Sequence, residues 1–166
     1  CIEAIVSSGM LRVIDAGSIF NHKALAVAYL TMFGNISNQD EMRTKILNDC
    51  TVQKFRQICM SEDPFIDLIV VKTVYSLSCS AENIQLLVKS NALPLMELIW
   101  GQDYERDNDV IFFVIAIMYN MTTCEDAQAQ LVSQGIVELL VDMWPEAVKD
   151  TKTCLLACKS IVHLGC

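Results

Sequence analysis

The chain has 166 residues, a formal net charge of −8, 53% hydrophobic residues and 19% charged residues. This length suits a single domain, and the hydrophobic content excludes an intrinsically disordered chain. The acidic balance argues against binding to nucleic acids and anionic membranes, and the longest apolar run, residues 110–119, is too short to cross a bilayer.

Four similar blocks recur along the chain, each with two aliphatic residues, two polar residues and a turn position. The blocks span residues 5–9, 46–50, 87–91 and 131–135, and their starts lie 41 to 44 residues apart. The turn position holds Gly9, Asn91 and Gly135, and these residue types accept the left-handed conformation that follows a helix end. We therefore expect a helix to end at each block, with a different turn at Cys50, and an internal repeat of this period.

Two further helices are predicted between one block and the next. Aliphatic residues at three- and four-residue spacing follow the turns, as in Leu93, Met96 and Ile99, and predict a middle helix. Polar linkers come next, at residues 61–64, 102–109 and 145–152. A longer and more apolar helix is then predicted at residues 25–36, 65–77, 110–121 and 154–164.

A hydroxyl residue precedes a polar acceptor residue by three positions after each long helix except the last. These pairs are Ser37 with Asp40, Ser80 with Asn83, and Thr123 with Asp126. The pattern is similar to a capping box, in which the two side chains bond to the backbone at the start of a helix. It predicts a short helix starting near residues 38, 81 and 124.

The succession of a short, a middle and a long helix in each unit resembles the armadillo repeat. The strongest matches are residues 131–140, an aliphatic-Gly-aliphatic-x-x-Leu-Leu stretch, and residues 115–121, which resemble an Ala-Leu-x-Asn-Leu ending. HEAT repeats have two helices per unit, so the short helix favours armadillo. The resemblance implies an all-α fold: a right-handed α-α superhelix, or solenoid, of about four three-helix repeats, at approximately residues 1–37, 38–79, 80–122 and 123–166.

The terminal repeats carry apolar residues where a solenoid end needs a polar outer face. We expect residues 1–166 to be a single array within a longer solenoid, covered by flanking repeats. The alternative is that a neighbouring subunit covers the edge.

The third helices of armadillo proteins line a concave groove in which an Asn near the helix end holds the backbone of an extended peptide. The resemblance implies a ladder of eight partner-binding positions, four at the helix end and four one turn earlier on the same face. They are Asn35, Ser76, Asn120 and His163, and then Thr31, Lys72, Ala116 and Lys159. The alternative is that Asn35 and Asn120 only satisfy neighbouring helix ends.

The ladder contains two lysines and no carboxylate, so we expect the partner to be an extended, neutral-to-acidic protein segment. The function implied by the resemblance is that of a non-catalytic scaffold or adaptor for protein–protein interaction. A structural component embedded in a large cytoskeletal or ciliary assembly is the alternative. A nuclear-import adaptor is disfavoured because the import receptors tend to have Trp at the earlier ladder positions.

Neither catalysis nor cofactor binding is expected. The chain has two histidines, no Gly-rich phosphate loop and no nucleophile elbow, and we expect no small-molecule substrate. Two sets of residues resemble metal ligands, namely Cys154 and Cys158 with His163, and the acidic residues of segment 103–109. Core thiols explain the first set better, and a solvated linker explains the second, since it lacks the Gly and Glu of a calcium loop.

The eight cysteines are expected to be reduced core thiols, because the chain is apolar enough to form its own core. No signal peptide is recognised in the sequence. We therefore expect a cytoplasmic protein, with association to the cytoskeleton and a nuclear location left open.

Overall fold

The computed structural model describes residues 22–47, 51–102 and 107–165, and this part of the chain contains ten helices and no strand. The helices are α1 (Lys23–Ser37), α2 (Asp40–Ile46), α3 (Thr51–Cys59), α4 (Pro64–Ser78), α5 (Ala81–Lys89), α6 (Ala92–Trp100), α7 (Asn108–Thr122), α8 (Glu125–Ser133), α9 (Ile136–Ala147) and α10 (Thr151–His163). The all-α prediction is confirmed. No helix in the described ranges is both long and apolar enough to cross a membrane.

A short, a middle and a long helix recur in this order three times after α1, which is itself a long helix. The long helices α1, α4, α7 and α10 match the four predicted long helices to within a few residues at each end. The middle helices α6 and α9 bury the expected aliphatic faces, including Leu93, Met96 and Leu140. Helices expected within residues 1–21 lie outside the described residues.

Helices of the same rank pack against each other from one unit to the next. Among the long helices, α1 packs on α4, α4 on α7, and α7 on α10. The first helices α2, α5 and α8 pack in the same succession, and the middle helix α3 packs on α6. One hydrophobic core therefore runs through all the described units, and the predicted apolar helix at residues 110–121 is buried on most of its faces because α4 and α10 flank it.

The turns between the first and middle helices adopt the predicted left-handed conformation in two units. Asn91 has φ of 65° and Gly135 has φ of 92°. Both residues directly precede a middle helix, α6 or α9. The corresponding residues Gly9 and Cys50 lie outside the described part of the chain.

The capping-box prediction is wrong. Helices α2, α5 and α8 begin near the expected positions, but none has a side-chain bond at its N-cap. The Ser37 hydroxyl instead donates to the Gly34 carbonyl, and the Thr123 hydroxyl to the Asn120 carbonyl. Backward bonds of this kind satisfy the carbonyls left unpaired where a long helix ends, and this competing role explains the hydroxyl at these positions.

Aspartates cap the N-termini of three long helices. Asp63 accepts a hydrogen bond from the Phe65 N–H at 3.1 Å. Asp107 and Asp150 accept from backbone N–H groups of α7 and α10 in the same way. Each aspartate is the last residue before its helix, so the polar linkers end in the caps that start the long helices.

The linker predicted to begin at Pro145 is shorter in the structure. Helix α9 continues to Ala147 and contains Pro145. A proline removes the bond to the carbonyl four residues earlier, here that of Val141. Both residues are exposed, so water can take the place of the lost donor.

The expectation that the cysteines are buried is only partly correct. Five cysteines lie in the described residues, and none of them forms a disulfide. Cys59 is buried, Cys124 and Cys154 are half-buried, and Cys79 and Cys158 are exposed. The exposed pair contradicts the expected core position, because their helix faces are not covered. Cys1, Cys50 and Cys166 lie outside the described residues.

Candidate functional site

The first part of the ladder lines a pocket between α1 and α4. Three ladder residues, Thr31, Asn35 and Lys72, contribute to its wall. The volume is about 350 Å³, within the range of small-molecule and side-chain sites. We call it the α1–α4 pocket; its lining residues are Leu30, Thr31, Gly34, Asn35, Asn38, Phe65, Ile69, Lys72 and Thr73.

The lining of the pocket is apolar on one side and polar on the other. Phe65 is 55% exposed, which is unusual for a phenyl ring in a chain with a continuous core. Ile69 is half-buried beside it, and Leu30 is fully buried. The amides of Asn35 and Asn38 and the ammonium of Lys72 supply the polar groups. An apolar surface with a few convergent polar groups is the usual composition of a binding site.

Gly34 sets the closeness of α1 and α4 beneath the pocket. A Cβ at this position would lie 3.1 Å from the Thr73 hydroxyl oxygen, which is tighter than normal packing. Thr73 is buried, and its hydroxyl donates to the Ile69 carbonyl at 2.8 Å. The absence of a side chain at Gly34 therefore allows the two long helices to approach each other.

The amide of Asn35 is available at the surface. The residue is exposed, and no hydrogen bond joins its side chain to another residue within the described ranges. Asn offers a donor and an acceptor together, so it can pair with both groups of a peptide unit. The neighbouring Asn38 already accepts a hydrogen bond from the Ser76 hydroxyl at 3.0 Å.

The charge of Lys72 is partly balanced by α7. Its ammonium lies 3.2 Å from a carboxylate oxygen of Asp109 and 5.5 Å from the centre of the Phe113 ring. Both charged side chains are about half exposed, at 46% and 59%. An exposed pair of this kind contributes about 0–1 kcal/mol, so an arriving carboxylate can compete with Asp109 for Lys72.

The helix-end positions of the ladder bridge successive long helices. The Ser76 hydroxyl donates to the Ser37 carbonyl at 2.8 Å, and the Asn120 amide donates to the Ser78 hydroxyl at 2.9 Å. His163 Nδ1 lies 3.2 Å from the Thr122 hydroxyl. In each case the side chain reaches the end of the preceding long helix, as the alternative reading of the Asn positions anticipates for Asn120.

The remaining ladder positions differ in exposure. Ala116 is buried between α7 and its neighbours, so it contributes shape and no polar group. The Lys159 ammonium lies 5.9 Å from the centre of the Tyr119 ring, and His163 stacks on the same ring at a centroid distance of 5.4 Å. This end of the ladder is a cationic and aromatic surface.

Sequence reasoning missed the apolar and close-packing residues of the pocket. Phe65, Ile69 and Gly34 line it, but the ladder was defined by polar positions alone. A glycine inside a predicted apolar helix was the available signal, since it often marks a close backbone approach. The Asp109 carboxylate, one residue into a helix of the next unit, could not be paired with Lys72 without the packing of α4 on α7.

The two metal candidates remain weak. No cluster of three or more metal-binding side chains occurs among the described residues. Cys154 and Cys158 face each other on α10, and their mutual contact together with burial raises the pKa of the Cys154 thiol, chiefly through desolvation. Residues 103–106 of the acidic candidate lie outside the described residues.

Comparison of the chain with protein-family models, with curated proteins and with solved structures found no match. The site is therefore interpreted from its own geometry.

Proposed function

We propose that this chain is an armadillo-type solenoid, a right-handed superhelix of three-helix repeats, that acts as a non-catalytic scaffold for protein–protein interaction in the cytoplasm. In this proposal an extended partner segment lies across the long helices. The observation that carries the proposal is the α1–α4 pocket, where ladder residues Thr31, Asn35 and Lys72 meet around an exposed phenyl ring.

The hydrogen bonds between units support a solenoid. Side chains bond to residues 39 to 43 positions away at four places: Ser76 with Ser37, Asn83 with Arg43, Asn120 with Ser78, and Gln102 with Cys59. These separations are close to one sequence period. Contacts restricted to neighbouring units are the defining feature of a repeat array.

The pocket favours a segment with an apolar residue next to an acidic or amide residue. Phe65 and Ile69 provide the apolar surface, and Asn35 provides a donor and an acceptor for the backbone of the segment. Lys72 attracts a carboxylate in competition with Asp109. Because such a charge pair is exposed, Lys72 contributes mainly to selectivity and salt dependence, whereas Phe65 contributes most of the buried area.

The experiment begins with a library of peptides displayed in extended form, from which the tightest binder to the parent chain is selected. Its dissociation constant is then measured by fluorescence anisotropy for Asn35→Ala, Phe65→Ala and Lys72→Glu. We expect each change to weaken binding at least several-fold, and Lys72→Glu to reduce the salt dependence as well. The matched control is Glu138→Lys on α9, which changes charge on an exposed residue outside the ladder.

Asn120→Ala is avoided in this comparison, because it also removes the bond between α7 and Ser78. If the pocket variants bind the selected peptide as tightly as the parent does, and Glu138→Lys weakens it, the groove proposal fails.

A structural element embedded in a larger assembly is the second candidate. The observation that favours it is the apolar surface at the outside of α9, where Val141 is 65% exposed and Trp144 and Val148 are also exposed. Such a patch on a protein surface usually marks an interaction site. Loss of binding to an isolated assembly component on Val141→Glu, with the pocket variants unaffected, would support this candidate.

A further inference from the structure

Large apolar side chains are exposed mostly in the last three-helix unit. Nine such residues are exposed in the described part of the chain, and six of them belong to the segment from α8 to α10. They are Val132, Val141, Trp144, Val148, Leu155 and Val162. The question is whether these residues share one face, and the repeat answers it, because equivalent residues of the earlier units are visible in contact with their neighbours.

The long helices can be compared in register from their capping aspartates, Asp63, Asp107 and Asp150. The eighth and eleventh residues after the cap are Val71 and Val74 in α4, and Ile115 and Met118 in α7. All four are fully buried. The equivalent residues of α10 are Cys158, which is exposed, and Ile161, which is half-buried.

The twelfth residue after the cap shows why this face is covered in the earlier helices. Tyr75 of α4 packs on Phe113 of α7, with ring centroids 5.2 Å apart. Tyr119 of α7 stacks on His163 of α10. Each tyrosine therefore faces the following long helix. The equivalent residue of α10 is Val162, which is 72% exposed.

The first and middle helices repeat this relation, counted from the left-handed turn residues Asn91 and Gly135. Trp100 and Trp144 are both the ninth residue after the turn, and the Trp100 indole N–H donates to Asp142 on the following middle helix. Val88 and Val132 both precede the turn by three residues. Val88 is buried at 1% exposure, whereas Val132 is 45% exposed.

These comparisons define an end face, made of Val132, Trp144, Cys158, Ile161 and Val162. We propose that a second copy of this chain docks on the end face, so that two copies associate end to end through their last units. The contact continues the stack of long helices α1, α4, α7 and α10, and it buries the side chains that the earlier units bury within the chain.

The charges of the last unit favour a second copy as the occupant. No residue of the end face is charged. The nearby charges are directed toward the preceding unit, since Lys159 lies over Tyr119 and Asp142 accepts from Trp100. Two identical faces can therefore meet about a two-fold axis without burying like charges, which is the requirement of an isologous contact.

The test is sedimentation velocity of the chain from micromolar to near-millimolar concentration. We expect a concentration-dependent dimer in the parent. Val162→Glu should weaken the dimer by about tenfold or more, because a carboxylate would be buried unpaired. The matched control is Leu25→Glu on α1, which is 50% exposed and lies at the other end of the stack, and it should dimerise like the parent.

A second measurement reports on the face without a substitution. The alkylation rate of Cys158 should fall as the protein concentration rises, while that of Cys79, which is exposed but lies outside the end face, stays constant. A parent that is monomeric at every concentration overturns the proposal. So does a dimer that tolerates Val162→Glu, or one that Leu25→Glu disrupts equally. Peptide binding in the α1–α4 pocket does not depend on this outcome.

Discussion

Gly34 and Thr73 show how a single residue can set the separation of two helices. A glycine in a helix interior normally costs about 1 kcal/mol relative to alanine. Here it lets α1 approach the buried Thr73 hydroxyl, and the branched Thr73 side chain is held by its bond to Ile69. The close approach forms the base of the α1–α4 pocket, so the local cost is linked to the shape of the site.

We predict that Gly34→Ala destabilises the chain by about 1 kcal/mol, because overpacking outweighs the gain in helix propensity. In a Thr73→Ala background the clash is absent, so the same change should stabilise the chain by up to about 1 kcal/mol. Urea unfolding of the four chains of this double-mutant cycle measures the coupling. Equal stabilisation by Gly34→Ala in both backgrounds would contradict the close approach.

The cysteines are predicted to react in the order of their exposure and thiolate content. Burial, with a smaller effect of the neighbouring Asp67 carboxylate, raises the pKa of the Cys59 thiol well above its ordinary value, and only the thiolate is a nucleophile. Under native conditions a maleimide should label Cys79 and Cys158 first and Cys59 last. Peptide mass spectrometry at timed intervals gives the order, and early labelling of Cys59 would show that α3 and α4 are not packed as described.

At the scale of helices, the long helices were predicted better than the short ones. Their apolar runs are long, and their limits are fixed by the polar linkers and the Gly or Asn turns, so pattern alone located them. The capping boxes failed because Ser37 and Thr123 bond backward to the preceding helix end. A hydroxyl next to a helix junction can serve either helix, and the spacing of residues does not distinguish these roles.

The cap of α4 gives a pH-dependent prediction. The pKa of Asp63 is lowered from 3.8, mainly by the hydrogen bond from Lys23 on α1 and also by the backbone N–H groups of α4. Because the folded pKa lies below the unfolded one, the stabilisation is present at neutral pH. It is lost as the pH falls below 3.8 through the lowered pKa.

Asp63→Asn keeps an N-cap acceptor but removes the charge, so its difference in unfolding free energy from the parent should shrink as the pH approaches the lowered value. Asp63→Ala should cost about 1 kcal/mol at neutral pH, because the cap itself is lost. Urea unfolding over a pH series tests both. A difference between Asp63→Asn and the parent that stays constant with pH would contradict the role of Lys23.

The bonds between first helices offer a second test at this scale. The Asn83 amide is buried and donates to the carbonyls of Arg43 and Leu77, each at 3.1 Å. Asn83→Ala should destabilise the chain by about 1–3 kcal/mol, because a buried carbonyl loses its donor. The control is Gln85→Ala, whose exposed amide bonds to Asp126 and whose loss should cost less than about 0.5 kcal/mol. Similar thermal shifts for the two variants would argue against the buried bridge.

At the scale of the whole molecule, the period of the sequence predicted which helices would be neighbours, since like helices of successive units pack together. The ladder positions followed from that period, and Thr31, Asn35 and Lys72 do meet at one pocket. The sequence could not indicate that Ser76, Asn120 and His163 would be engaged with the preceding helix ends. That outcome depends on rotamers and on partners about 40 residues away, which no local pattern specifies.

The same scale explains why the partner remains open to experiment. The pocket offers an apolar surface, one amide and one ammonium that is shared with Asp109. These features select a chemistry, namely an apolar residue beside a carboxylate or amide in an extended segment. They do not select a sequence.

The central claim, that partners bind across the long helices, is tested most directly by hydrogen–deuterium exchange of the chain with and without the selected peptide. We predict slower exchange in peptides covering α1 and α4, with the largest change at residues 30–37 and 65–73, and no change in α6 and α9. Protection confined to α6 and α9, with α1 and α4 exchanging as in the free chain, would contradict the claim.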